Sequence, residues 1–416
     1  MHILWIGHNL AYPPVRGVLQ RNYNLLRQAA KQCEVHVLAF DQPATRPAGV
    51  SAEDCVRALR DFCAEVEYVS LPKGAWHRYR SAGKGLLAHE AYDLPWLRSK
   101  AMSERLREKV RRVPFDTLHF DTIGLAPYRA VVQGTGTVLN HHNVESSMME
   151  RRAVNETRRA WQWYWRWEAR KLSLAEQRYC PQFAVNLVVS PEDGAALSAC
   201  AAGIVTRVVP NGVDTEFFVP RPDPGGKTLL FCGGLDWYPN SDAMVYFFDA
   251  IWPRLTSVLP DVRVLVVGRR PPDWLRRLGD QDPRVQVTGF VDDVRPYFRA
   301  ATAYICPIRV GGGTRLKILD ALASGIPLIG TSFACSGIPI RHETHALLAD
   351  SPEEFVAQTV RAVANPHLRT RLANQGRDLV CREYAWNVVG KSLLLAYQEA
   401  SARTARPSPL SSVTVG

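Results

Sequence analysis

His2-Ile3-Leu4-Trp5-Ile6-Gly7 is a short apolar run that stops at a glycine. A loop carrying Pro13, Pro14 and Gly17 follows, then a helical stretch over Val18–Lys31, then a second apolar run, Glu34–Phe40. Strand, loop, helix and strand in that order imply parallel neighbours in a sheet, because only a parallel return needs a crossover helix. The opening therefore predicts an α/β fold, a parallel sheet covered by helices.

Working outward, Val66–Ser70, Thr117–Phe120, Gly136–Asn140 and Ala184–Ser190 read as further strands. The pattern then breaks at Pro220, Pro222, Pro224, Gly225 and Gly226, and restarts. Thr228–Cys232, Val262–Val267, Val285–Thr288, Ala303–Cys306 and Pro327–Gly330 form a second αβ series. At 416 residues two domains are the default expectation. The expected division is a first Rossmann-like domain over 1–208, a linker over 209–227 and a second αβ domain over 228–385. A helix over 386–402 returns to the first domain, and a Ser-, Thr- and Pro-rich tail over 403–416 is expected to be disordered. Two doubly wound halves place a ligand cleft between them, at the carboxyl ends of the strands.

The composition narrows the class. Nine cysteines are scattered singly with no C-x-x-C pair, which argues for reduced thiols in a cytosol and against a disulfide frame or zinc site. The start of the chain lacks a basic leader, and no apolar run approaches the roughly 20 residues of a membrane span. A net charge of +11 attracts polyanions, anionic lipid or phosphorylated substrates without choosing among them. No segment looks like a groove-reading or base-stacking module, so nucleic acid is not an expected partner.

One motif carries chemistry. Arg309–Gly325 reads R-V-G-G-G-T-R-L-K-I-L-D-A-L-A-S-G, a strand end, three glycines and then a helix from about Thr314 to Ser324. Free N–H groups at a helix start bind phosphate, and the helix dipole adds to this. Gly311, Gly312 and Gly313 permit close backbone approach. Arg315 and Lys317 add positive charge, and Asp320 can accept hydrogen bonds from a diol such as ribose. An ordinary glycine-rich turn before a helix is the plainer alternative.

This stretch resembles the donor-binding segment of retaining family 4 glycosyltransferases of the GT-B fold. Within them it looks most like the sugar transferases of exopolysaccharide systems. Gly233–Ala243 (G-G-L-D-W-Y-P-N-S-D-A) is similar to that subgroup's opening of the second domain. Val287–Tyr297 is similar to its loop over the nucleotide base, Pro210–Asp214 to its hinge, His142–Ser146 to its acceptor-side loop and Tyr12–Gly17 to its first loop. The resemblance implies two Rossmann-like domains facing each other across a cleft, a nucleotide-sugar donor and a lipid-linked or oligosaccharide acceptor.

The resemblance also implies roles. Gly17, Gly311, Gly312, Gly313, Thr314, Arg315 and Lys317 would bind the donor diphosphate, Asp320 the ribose, and Phe290 and Val291 the base region. His142, with His141 next, would sit near the reacting carbon. The chain departs from the family where most members have two glutamates eight apart, since here the positions hold Gly312 and Asp320. Gly234 and Pro239 stand where most members place an arginine and a lysine, so Arg315 and Lys317 are the natural replacements. No cofactor and no metal are expected. Asp280-Gln281-Asp282 is the only Asp-x-Asp and lies in a polar loop.

Arg151–Lys171 holds four tryptophans and seven Arg or Lys. As a helix it pairs Trp161 with Trp165 and Trp163 with Trp167 on shared faces. Basic residues beside Trp suit an anionic membrane interface, which would make a cytoplasmic protein peripheral on the membrane's inner face. The alternative is a surface helix whose rings pack on the first sheet. For the whole protein, the alternatives to transfer are a GT-B nucleotide-sugar epimerase and an inactive donor-binding protein.

Overall fold

The computed structural model describes all residues except 16, 44, 45, 48, 72–89, 92, 133, 155, 157, 312, 313 and 405–416. The chain forms two compact units, one from Met1–Pro210 together with the chain from Val389 onward, the other from Asn211–Val388.

The first unit is built on a seven-stranded sheet. Its strands are β1 (His2–Gly7), β2 (Glu34–Asp41), β3 (Glu65–Ser70), β4 (Thr117–Phe120), β5 (Gly136–Asn140), β6 (Val185–Val188) and β7 (Thr206–Val208). They lie in the order β3-β2-β1-β4-β5-β6-β7, and neighbours pair parallel, with Ile3 opposite Val35 and Thr117. Ile3, Leu4, Trp5 and Ile6 are all buried, as expected of a central strand covered on both faces. The chain winds outward from β1 to β3 and then crosses back to β4 on the other side. That reversal opens a crevice at the carboxyl ends of β1 and β4. Strand β7 escapes the pattern reading because it is three residues long, largely exposed and lies at the edge.

The second unit repeats the plan with β8 (Thr228–Cys232), β9 (Arg263–Val267), β10 (Val285–Gly289), β11 (Ala303–Cys306), β12 (Leu328–Gly330) and β13 (Leu347–Leu348). The order is β10-β9-β8-β11-β12-β13, so the reversal falls between β8 and β11. The Pro- and Gly-rich stretch read as a linker begins in this unit at Asn211. Phe218 is buried in its core, and its carbonyl accepts from Arg377 Nη1 at 2.9 Å. Proline and glycine mark irregular backbone there, but the aromatic side chain anchors it.

The last helix, Trp386–Thr404, begins in the second unit and lies in the first from Val389. Thr117 Oγ1 donates to the Tyr397 carbonyl at 3.2 Å, and the Tyr397 hydroxyl meets His119 Nδ1 at 3.0 Å. Arg207 grips Glu399 with two hydrogen bonds of 2.7 and 2.8 Å. The helix reaches the sheet because Gly136 has no side chain, since a Cβ there would lie 2.8 Å from the Ala400 backbone. Of the tail expected over 403–416, residues 405–416 lie outside the described residues.

Gly136→Ala is expected to lower stability by about 1–3 kcal/mol, the usual cost of overpacking. Gly194→Ala, whose Cβ would meet nothing nearer than 3.4 Å inside the Pro191–Cys200 helix, should be neutral or stabilising. Urea unfolding of the two variants checks this, and equal midpoints would refute the packing account.

Candidate active site

In the first unit the crevice holds a carboxylate with no exposure. Asp121 follows β4 and accepts four hydrogen bonds, from His8 Nδ1 (2.5 Å), Asn22 Nδ2 (2.7 Å), His142 Nε2 (3.0 Å) and Asn140 Nδ2 (3.3 Å). His8 follows β1, Asn140 ends β5 with His142 two residues on, and Asn22 comes from the Gly17–Ala29 helix. Four donors fill the acceptor capacity of a carboxylate. Burial alone would raise the Asp121 pKa, yet the His8 and His142 rings hold it well below the usual carboxylate range.

The cluster fixes the tautomer of His142. With Nε2–H donating to Asp121, the other ring nitrogen, Nδ1, carries the lone pair, and it has no partner among the described residues. Burial lowers the His142 pKa, with Asp121 opposing, so the neutral ring is favoured. His8, Asp121 and His142 are also near enough to ligate a metal ion by type. Each Asp121 oxygen is, however, already engaged by N–H donors, and the arrangement is complete as a hydrogen-bond cluster.

His141, the second candidate, points elsewhere. It is buried against Asn186, with Nε2 3.3 Å from Oδ1, and burial lowers its pKa to about 4. It lies under the β5 end as a core histidine. Arg21 is buried beside the cluster and donates to the carbonyls of Val209 (2.6 Å) and Pro210 (2.7 Å) and to Asn140 Oδ1 (3.3 Å). Gly17 opens the first helix, at the β1 side of the same crevice. Reading the sequence missed His8, Asp121, Arg21 and Asn22. Their one signal was position, since His8 and Asp121 directly follow the two strands at the reversal.

In the second unit the loops after β8, β9 and β11 meet. A Cβ on Gly268 would lie 1.9 Å from the Gly233 carbonyl oxygen, so the β8 and β9 ends touch through bare backbone. Gly311 has φ 117°, a left-handed conformation that favours glycine, and its Cβ would lie 3.0 Å from Pro239. The helix after it runs Leu316–Ala323, two residues later than the pattern suggested, with Arg315 as N-cap and no side-chain cap. Its first N–H groups are thus left for another acceptor. Thr314 Oγ1 is buried without a partner among the described residues. Gly312 and Gly313 lie outside the described residues.

Lys317 turns inward beneath the β8 loop. Its amine donates to Asn240 Oδ1 at 2.5 Å and lies 4.4 Å over the Phe231 ring. Asn240 in turn donates to the Gly234 carbonyl at 2.7 Å. Arg315 lies 4.7 Å over Phe333 and donates to Ser336 Oγ at 3.3 Å. Asp320 stands one turn below Lys317, and no hydrogen bond reaches its Oδ1 among the described residues. Burial raises its pKa to about 7, with Lys317 pulling the other way. Phe290 is 68% exposed after β10, while Val291 packs on the core. Asp282, of the Asp-x-Asp, is taken up by Arg284 at 2.8–2.9 Å.

Two family models match this chain in succession, glycosyltransferase family 4 over residues 15–217 and glycosyl transferases group 1 over 226–365. The chain belongs to the group 1, family 4 glycosyltransferases. This glycosyltransferase is 27% identical over 215 residues to a phosphatidyl-myo-inositol mannosyltransferase of Mycobacterium tuberculosis, covering 48% of this chain and 55% of that protein. It is 24% identical over 232 residues to an MMP alpha-(1->4)-mannosyltransferase of Mycolicibacterium hassiacum, covering 52% and 56%. The matched region thus spans about half the length of these curated relatives. Among solved structures, sucrose-phosphate synthase from Thermosynechococcus elongatus has a TM-score of 0.72 at 16% identity, covering 97% of this chain and all of that one. HepE from Anabaena, in complex with UDP, has a TM-score of 0.67 at 12% identity, covering 96% and 100%. The fold is GT-B.

The Asp320 carboxyl gives a pH prediction. Folded, it keeps its proton up to about pH 7; unfolded, it releases it near pH 4. A raised pKa in the folded state makes stability fall as pH rises between those values. Asp320→Asn should therefore be more stable than the native chain at pH 8, by about 1–3 kcal/mol, and no more stable at pH 4. Urea midpoints at the two pH values test it, and a pH-independent difference would count against the burial argument.

Proposed function

We propose that this glycosyltransferase moves a sugar from a nucleoside-diphosphate donor to a lipid-linked or polysaccharide-precursor acceptor, with retention at the anomeric carbon and without a metal. The observation that carries the reading is the uncapped start of the Leu316–Ala323 helix, reached through Gly311 and backed by Lys317. N–H groups and fixed cations aimed at one point are what a leaving diphosphate requires as its C1–O bond breaks. The Thr314–Lys317 segment would hold the diphosphate, Asp320 the ribose hydroxyls and the Phe290–Val291 loop the base. Gly312 and Gly313 extend the same segment in sequence. Gly17, at the start of its own helix, is proposed as a further backbone contact for the diphosphate.

His142 is the proposed catalytic residue. Asp121, accepting from Nε2, sets the orientation of the ring, and the ring in turn positions the reacting sugar. The acceptor hydroxyl adds to C1 and its proton passes to an oxygen of the leaving diphosphate. His141 supports the loop from beneath. The placement in the exopolysaccharide subgroup rests on Gly233–Ala243 and Arg309–Gly325. The lipid-linked acceptor draws support from the name of the mycobacterial relatives, which mannosylate phosphatidyl-myo-inositol.

The Arg159–Tyr179 helix is the proposed contact with an anionic membrane on the cytoplasmic face. Trp161 and Trp163 are exposed, at 44% and 66%, and so do not pack on the sheet. Trp161 stacks with Trp165 and Trp163 with Trp167; Arg152 lies over Trp165 at 3.7 Å, while Lys171, over Trp167 at 3.8 Å, is buried and paired with Glu168 at 2.6 Å. The result is a row of rings edged with cations. Among the described residues no helix is long and apolar enough to cross a membrane.

A panel of UDP-, GDP- and ADP-sugars scored by thermal shift tests the function. One donor at a hundred times its Kd should raise the melting temperature by about 5 °C or more. His142→Ala should keep that shift and lose transfer about 100-fold or more. A panel with no shift would sink the donor reading.

Vesicle flotation tests the membrane contact. Binding to anionic vesicles should fall with added salt and with Trp161→Ala plus Trp163→Ala. Equal binding to neutral vesicles would speak against it.

A further inference from the structure

Gly233 and Gly234 form the turn after β8, and a cation stands on each side of it. On one side, the Lys317 amine would lie 2.5 Å from a Cβ on Gly233. On the other, a Cβ on Gly234 would lie 2.9 Å from Asp236 Oδ1 and 3.2 and 3.6 Å from Arg269 Nε and Nη2. Arg269 comes from the end of β9, and the Leu235 N–H donates to its carbonyl at 3.0 Å, which holds its backbone against the turn. The space that a side chain at 234 would fill is therefore occupied by the Arg269 guanidinium, from the neighbouring strand, and the Asp236 carboxylate that holds it.

The charges around this turn do not balance. Asp236 Oδ1 takes Arg269 Nε at 3.2 Å, while Asp236 Oδ2 lies 3.5 Å from Arg270 Nη1, so one carboxylate serves two guanidiniums. Lys317 stands on the far side of the turn, with the buried Asp320 one helical turn away. Arg269, Arg270 and Lys317 thus meet two carboxylates, Asp236 and Asp320. The Arg269 side chain is 35% exposed, enough to reach a ligand and sheltered enough to be held in place. Bare glycine backbone between two fixed cations suits a group carrying several negative oxygens.

We propose that Arg269 is a ligand of the donor diphosphate, working across the Gly233–Gly234 turn from Lys317, with Asp236 as the residue that positions it. This deepens the proposed function and rests on it. It adds a strand, β9, to a site for which the sequence offered Gly17 and the Gly311–Asp320 segment. The cation missing at position 234 is supplied by position 269, because β9 lies beside β8 and Gly268 lets their ends touch.

Calorimetric titration of the full chain with UDP, GDP and ADP, and with uridine, guanosine and adenosine, tests the assignment. Arg269→Ala should weaken the nucleoside diphosphate that the native chain binds at least tenfold and change the matching nucleoside less than twofold. Arg269→Gln, whose amide nitrogen stands where Arg269 Nε does and can still donate to Asp236, should weaken it similarly and guards against a folding defect in the alanine variant. Adding Gly234→Arg to Arg269→Ala returns a guanidinium to the same space and should restore at least part of the loss. A merely structural role for Arg269 would not give that rescue. If the native chain binds one of the three nucleotides and Arg269→Ala and Arg269→Gln, folded with native urea midpoints, bind it within twofold, the assignment is overturned and the donor reading stands. A native chain that binds none of the three overturns both.

Discussion

Asp121 puts a negative charge in the interior of the first unit, where only protein groups can solvate it. A buried carboxylate with an unfilled lone pair is costly, so every neighbour is set by the need to donate to it. That one requirement orients His8, Asn22, Asn140 and His142 together. It decides which nitrogen of His142 is protonated and which carries the lone pair. It also ties the first helix and three strands, β1, β4 and β5, into one rigid crevice. Removing a donor would strand the charge, and removing Asp121 would free both imidazoles to reorient.

The second unit meets a different constraint, steric rather than electrostatic. Its loops converge only because glycines stand where they cross, most tightly at Gly268 against Gly233. Close backbone contact leaves N–H groups and cation tips as the surface a ligand meets. The same closeness desolvates Lys317 and Asp320, lowering one pKa and raising the other, so neither is held fully charged at low cost. Such a site is poised for an anion near the amine and for hydroxyl groups near the carboxyl.

Both sites fall at a strand-order reversal, β1 to β4 and β8 to β11. At a reversal, adjacent loops leave on opposite faces of the sheet and a crevice opens between them. The repetition of one plan in two units explains why the αβ pattern could be read twice from the chain. Short strands such as β7 and β13 could not be read that way. Their two or three residues carry no period, and only pairing with a formed neighbour makes them strands.

The sequence by itself determined the αβ alternation, its restart and the turn into a helix within Gly311–Asp320, because these are local patterns of apolar period, glycine and charge. It also singled out His142, through the residues around it. Tertiary structure alone decided that His141 turns into the core, that His142 is held by Asp121 and flanked by His8, and that Arg269 stands in the space left by Gly234. Those outcomes depend on which strands lie side by side. Residues such as 8, 121 and 142, or 234, 269 and 317, are far apart in the chain, and strand order is what brings their side chains within reach of one another.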